Sequence, residues 1–293
     1  MGLYNCRMYD YGDFVQFRFY DNPIRTDEIG CNATPDPALR EADPFFLAPE
    51  DIKPHQLTMD DFLGYKMLDQ EKHKHCLAVS VNRSIQSIYE YSYANMWDWF
   101  ITFTFAPEKA DRFDYDDVVK KTRKWFMNLR NRKAPDLKYL FIPEKHKDGA
   151  YHIHGLLADC GSLEFEDSGR VAVGKKAVKR TEKNNNFPTI YNVSGWRFGF
   201  STATRIQDNN RACSYMAKYI TKDLCDDLHG KRRFYPSNNL NRVEKTELNL
   251  PPDEFDRFIL DRMVKNQVEY IKEQKIPEAK QRIRYVTIKK EYL

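Results

Sequence analysis

The sequence predicts an α+β protein built on a central antiparallel sheet of about four to five strands flanked by helices. Three observations predict it. Stretches of two-residue alternation, such as Phe100 to Phe105, interleave with stretches of helical spacing, such as those following Ser84 and Asp114. Two of the strands flank Asp148-Gly149, a tight-turn pair that makes them antiparallel neighbours. Hydrophobic residues make up 41% of 293 positions, enough for a sizeable core.

The elements follow in chain order. Phe14 to Tyr20 alternates as a strand, and Asp21-Asn22-Pro23 is expected to end it. Thr34 to Pro54 carries five prolines and reads as a linker, and Asp60 to Lys74 as a charged helix. From Ser84, the residues Ile85, Ile88, Tyr89, Ser92 and Met96 keep helical spacing. In the strand Phe100–Phe105, Ile101, Phe103 and Phe105 share one face and two threonines the other. Asp114 is a helix N-cap, followed by the apolar stripe Tyr115, Val118, Val119, Thr122, Trp125, Phe126 and Leu129. Lys138 to Pro143 and Tyr151 to Ala158 are the next two strands. Asp159 to Pro188 reads as a polar insertion, and Trp196 to Ile206 as a fourth strand starting from Gly195. Asp208 caps a helix running to about Leu224. An amphipathic helix from about Asp253 to Gln274 and a short strand from Tyr285 to Tyr292 complete the chain. The expected division is an N-terminal extension over 1–83, a central domain over 84–235 and a helical C-terminal extension over 236–293.

Composition excludes several classes. Charged residues reach 31% and mean hydropathy is −0.73, and no apolar run approaches the roughly 20 residues of a membrane helix. Arg7, Asp10, Asp13 and Arg18 rule out a secretory h-region at the start, so the expected location is the cytoplasm. The six cysteines are scattered with no CxxC pair, which reads as reduced thiols and not as a disulfide or zinc framework. A net charge of only +4 makes local clustering, not overall charge, the carrier of any nucleic-acid argument.

Two constellations carry chemistry. In the first, His152 and His154 lie two apart on one strand and therefore on one face. A three-residue turn Lys147-Asp148-Gly149, with Gly149 left-handed, sets Glu144 directly opposite His152, with Cβ atoms about 5 Å apart. Two imidazoles and a carboxylate suit Mn²⁺, or Mg²⁺ with waters retained, and leave positions open for a phosphate oxygen. His73-Lys74-His75 repeats the spacing without a hairpin and reads as solvent-facing, and His146 falls by the turn as an exposed or DNA-facing group. In the second, the stretch Ser214 to Lys222 divides into an apolar stripe with Cys213, Met216, Ala217, Ile220 and Leu224, and an opposite stripe with Arg211, Tyr215, Lys218, Tyr219 and Lys222. The tyrosines stand one turn apart beside lysines that favour the phenolate. A packing role is the default among 18 tyrosines, but this stripe is complete without them.

Taken in order, Phe100–Phe105, His152-Ile153-His154 with Glu144, and Tyr215-x3-Tyr219 followed by Lys222 resemble the motifs of the HUH superfamily of rolling-circle replication initiators, in particular the bacterial plasmid and single-stranded phage types. The resemblance covers about Ser84 to Tyr235. It implies an HUH/RRM-like nicking domain that binds single-stranded or hairpin origin DNA. It implies attack on a DNA phosphodiester to give a 5′-phosphotyrosine and a free 3′-OH. Glu144, His152 and His154 would hold the metal; Tyr219 first, and Tyr215 second, would act as nucleophiles, with Lys218 and Lys222 beside them. It implies host helicase and polymerase as partners in a bacterial cell, because no GxxxxGK[ST] loop is present. Lys175, Lys176, Lys179 and Arg180, together with Lys231, Arg232 and Arg233, are candidates for backbone contacts with DNA, and Trp196, Phe198 and Tyr235 for base stacking. Two alternatives stay open: a transposase or relaxase of the same superfamily, and a non-catalytic DNA-binding regulator on this scaffold. The order of histidines before tyrosines disfavours a relaxase.

Overall fold

The computed structural model describes residues 2–26, 81, 83–174, 176–216, 231–276 and 280–293. The expected linker at Thr34–Pro54, the helix at Asp60–Lys74 and the pair His73/His75 lie outside them. The described strands are β1 (Gly2–Asp10), β2 (Phe14–Thr26), β3 (Trp99–Phe105), β4 (Lys138–Lys145), β5 (Tyr151–Ala158), β6 (Phe165–Val173), β7 (Lys176–Lys179), β8 (Thr189–Val193), β9 (Gly199–Arg205), β10 (Tyr235–Pro236), β11 (Glu244–Leu248), β12 (Val268–Ile276) and β13 (Gln281–Lys289). The helices are α1 (83–93), α2 (Tyr115–Arg132), α3 (Asn209–Met216) and α4 (Pro252–Val264). The protein is α+β, and the chain forms two compact units, 1–83 with 243–293, and 84–242.

The first unit is a five-stranded antiparallel sheet in the order β11-β1-β2-β13-β12 among the described residues. The segments expected as separate N- and C-terminal extensions thus share one sheet. Three local expectations are corrected here. Strand β2 does not stop at Asp21-Asn22-Pro23 but runs to Thr26. The register slips between Tyr4 and Cys6, which places Pro23 in a bulge where its missing N–H leaves no gap in the ladder. The Gln281 amide holds the bulge by accepting from Asn22 N–H at 2.9 Å and donating to its carbonyl at 2.8 Å. The helix expected over Asp253–Gln274 ends at Val264. Asn266 adopts φ 55°, the left-handed stop of a helix C-terminus, and β12 follows. The last strand starts four residues before Tyr285, at Gln281, because Ile283 also faces the interior.

The second unit is an eight-stranded antiparallel sheet among the described residues, β10-β4-β5-β3-β9-β8-β6-β7, larger than expected. Strands β6 and β7 come from Asp159–Pro188, which is no polar insertion: Leu163 and Val171 bury within it, and β8 follows directly after. Helix α2 forms as its sequence predicts. Asp114 caps it by accepting from Asp116 N–H, and its buried residues are those of the predicted stripe. They pack on Phe103, Phe141 and Ile153 of the sheet, where Trp196 stacks on Phe103 with centroids 3.9 Å apart. Strand β9 begins at Gly199 and not at Trp196, because the Trp196 ring is needed in this core.

Candidate metal and tyrosine site

One face of the second sheet belongs to α2; the opposite face carries the site. Alternation along β3 sends Ile101, Phe103 and Phe105 into the α2 core and Phe100, Thr102 and Thr104 to the other side. On that side the floor is apolar at one end, where Leu140, Ile142 and Leu156 are fully buried. It becomes polar toward the β4–β5 turn. The turn itself is the expected one: Gly149 has φ 86°, a value that glycine adopts without steric cost, and His146 N–H bonds the Ala150 carbonyl at 2.8 Å. The register pairs Glu144 with His152.

The contacts refine that pairing. The Glu144 carboxylate reaches diagonally and bonds His154 Nε2 at 2.7 Å, not its register partner. Each imidazole is also held from β3. Thr102 stands opposite His154 and its hydroxyl lies 3.1 Å from Nδ1; Thr104 stands opposite His152 with the same distance. A hydroxyl both donates and accepts, so each threonine fixes its ring whichever nitrogen carries the proton. His146 is exposed and stacks on His152, with centroids 4.1 Å apart.

Electrostatics keeps the imidazoles neutral. Burial, reinforced by His146 and His154, pushes His152 down to about 4. Burial also pushes His154 down, against the opposing pull of Glu144. Burial alone would raise the Glu144 carboxyl, but the hydrogen bond from His154 and the three neighbouring imidazoles bring it below its ordinary value. A neutral Nε2–H donor accounts for both directions. Neutral imidazoles beside an ionised carboxylate are the protonation states that a divalent ion needs.

Among the described residues, no group of three or more His, Cys, Asp and Glu side chains stands in a geometry that could hold a metal ion. Glu144 and His154 instead bond each other, so acid and imidazole are mutually occupied. The donor types nevertheless suit such an ion: with Nδ1–H turned to its threonine, each ring would present an Nε2 lone pair, and Glu144, His152 and His154 would be the residues to hold it.

Helix α3 brings the first tyrosine to this face. Asp208 caps it by accepting from Arg211 N–H at 3.0 Å. The helix is fastened to the end of α1, where Asn209 Oδ1 accepts from Trp97 N–H and Cys213 Sγ donates to the Ser92 carbonyl at 3.1 Å. Cys213 and Met216 are fully buried while Tyr215 is 40% exposed, as the two-stripe division predicts. The Tyr215 ring lies 5.8 Å from Phe100, and Phe100 lies 6.2 Å from His154. One aromatic ring thus separates the tyrosine from the histidine. Tyr219, Lys218 and Lys222 lie outside the described residues, as does Lys175.

The proposed DNA contacts divide. Lys176 and Lys179 are exposed on the edge strand β7, whereas Arg180 is ion-paired with Asp167. Lys231 pairs with Asp116 at 2.8 Å, and Arg232 lies over the Tyr235 ring. Three expectations are corrected: Arg233, Trp196 and Tyr235 are buried, and Tyr235 stacks on Phe141 in the core, so none is exposed as a platform for a stacked base. Sequence reasoning missed the roles of Thr102, Thr104 and Phe100. Their signal was present as the polar face of β3, but its meaning depended on which strand β3 would pair with.

Residues 98–224 match the family model of the replication-associated protein ORF2/G2P. The match spans β3, the hairpin and the tyrosine segment, and it supports a replication initiator that interacts with DNA. No curated protein and no solved structure matches the chain. No helix among the described residues is long and apolar enough to cross a membrane.

Proposed function

We propose that the chain is a metal-dependent replication initiator that nicks and rejoins single-stranded origin DNA through a 5′-phosphotyrosine. The observation that carries this reading is the shared face: Glu144, His152 and His154, each imidazole held by a threonine, with Tyr215 one ring away. Glu144, His152 and His154 would hold Mn²⁺ or Mg²⁺. A bound divalent ion supplies Lewis-acid polarisation of the scissile phosphate. Thr102 and Thr104 orient the imidazoles, and the buried Leu140, Ile142 and Leu156 border them on the same face.

The chain's own chemistry is transesterification. A tyrosine oxygen forms a bond to phosphorus, the bond from phosphorus to the 3′ oxygen breaks, and that oxygen takes a proton to leave as a 3′-OH. Tyr219 is the first nucleophile and Tyr215 the second, with Lys218 and Lys222 favouring the phenolate. The reverse attack by a 3′-OH rejoins the strand.

The test is covalent capture. Labelled single-stranded origin DNA incubated with protein and Mn²⁺ is expected to give a slower band on a denaturing gel, abolished by chelator. Tyr219→Phe should remove most of it, and Tyr215→Phe with Tyr219→Phe all of it. A band that persists in the double variant refutes the assignment.

A further inference from the structure

The helix-covered face of the second unit carries a charge pattern that the nicking site does not use. Between Lys120 and Lys133 the chain has seven cations and no acid. Lys120, Arg123, Lys124, Arg132 and Lys133 are exposed, while the apolar stripe of the same helix is buried. The two acids at the start of α2 are already engaged, Asp117 by Lys121 and Asp116 by Lys231. Lys120 and Lys124 stand one turn apart, a like-charge spacing that costs an isolated helix about 0.2–0.5 kcal/mol. A solvated face has no need of such crowding; a polyanion relieves it.

The surface has shape as well as charge. A groove of about 740 Å³ runs along α2, where Lys120, Arg123, Lys124 and Arg130 line it together with Met127 and with Asp116, the acid that Lys231 pairs; Tyr139 and the rim of Tyr235 border it on the sheet. Arg123 and Arg232 lie 5.9 and 5.5 Å from the Tyr235 ring centre. A second cleft of about 210 Å³ shares Lys124 and continues past Arg132 and Lys133 to Arg197 and Phe198. From Lys120 to Arg132 the basic line extends about 18 Å along the helix. A row of cations along a groove is an arrangement by which proteins track a single-stranded backbone without reading its sequence.

We propose that this α2 groove is a second nucleic-acid site, binding the phosphodiester backbone of single-stranded DNA on the face of the sheet opposite the histidines. It rests on the reading that the chain handles single-stranded origin DNA. Its function is to hold strand beyond the scissile phosphate without sequence preference. The cations there are separated from the reacting phosphate by the sheet, so they bind and do not catalyse.

The experiment uses the full chain and a labelled oligodeoxythymidylate, with chelator present, and follows anisotropy against salt. Neutralising three cations in K120Q/R123Q/K124Q should make the slope of log affinity against log salt shallower by about 2, since each backbone contact to a single strand contributes about 0.7. The charge-conserving K120R/R123K/K124R variant should bind as the parent does. An unchanged slope in the glutamine variant overturns the proposal, as does equal weakening in the charge-conserving variant. Competition by polyglutamate as effective as by DNA overturns it too, because the groove would then take acidic protein. Covalent adduct on a minimal origin hairpin, measured with Mn²⁺ in the parent chain, separates the two readings. Adduct with an unchanged slope refutes the groove alone, and a shallower slope without adduct refutes the nicking reading alone.

Discussion

Replacing Thr102 and Thr104 by valine tests whether these hydroxyls order the two strand histidines as the proposed metal ligands. Each hydroxyl lies 3.1 Å from an Nδ1, and each threonine stands directly across the ladder from its histidine. Valine keeps the β-branched shape and the strand preference but removes the hydrogen bond. A neutral, partly buried hydrogen bond contributes about 0.5–1.5 kcal/mol net, and about 1.4 kcal/mol is a factor of ten in affinity. The half-saturating Mn²⁺ concentration for adduct formation should therefore rise by about twofold to tenfold for each single variant, and by about fivefold to a hundredfold for the pair. The melting temperature should fall only by about 2–4 °C per kcal/mol lost. Thr102→Ser, which keeps the hydroxyl, should retain the parental Mn²⁺ dependence. An unchanged Mn²⁺ dependence in the double valine variant, with His152→Ala and His154→Ala inactive, would refute the claim that the threonines orient the ligands.

Two further outcomes test the fold and its electrostatics. His152 sits at about 4 against an ordinary 6.5, so the unfolded chain takes up a proton more readily; stability is complete above pH 6.5 and is lost as pH falls toward 4. Melting curves at pH 7 and 5 in chelator should show a larger loss for the parent than for His152→Gln, and equal losses would contradict the shift. At Gly199, an added Cβ would stand 2.2 Å from the Thr104 carbonyl oxygen and 2.7 Å from Ala106 N, both backbone atoms of the neighbouring strand segment. Gly199→Ala should therefore destabilise by about 3 kcal/mol through forced separation of β9 from β3. Urea denaturation reads this directly; a loss no greater than that of Gly174→Ala, where nothing lies within 4 Å, would show that the contact is not tight.

Local features of the site were legible in the sequence. Two-residue alternation put His152 and His154 on one face, and a glycine-closed turn of fixed length set Glu144 against His152. Asp114 and the 3.6-residue stripe defined α2, and the same periodicity separated Tyr215 from Cys213 and Met216. These follow from sterics and periodicity acting over a few residues. Tertiary structure decided everything that needed a distant partner. Thr102 meets His154 across 52 positions, and only the choice of β3 as the neighbour of β5 makes that threonine an orienting group. The diagonal reach of Glu144 to His154, the spacing of Phe100 between that histidine and Tyr215, and the addition of β6 and β7 to the sheet arise in the same way. So does the union of the first and last strands in one sheet. Pairing over such separations is selected by the burial it completes across the whole unit, and no short window of sequence contains that quantity.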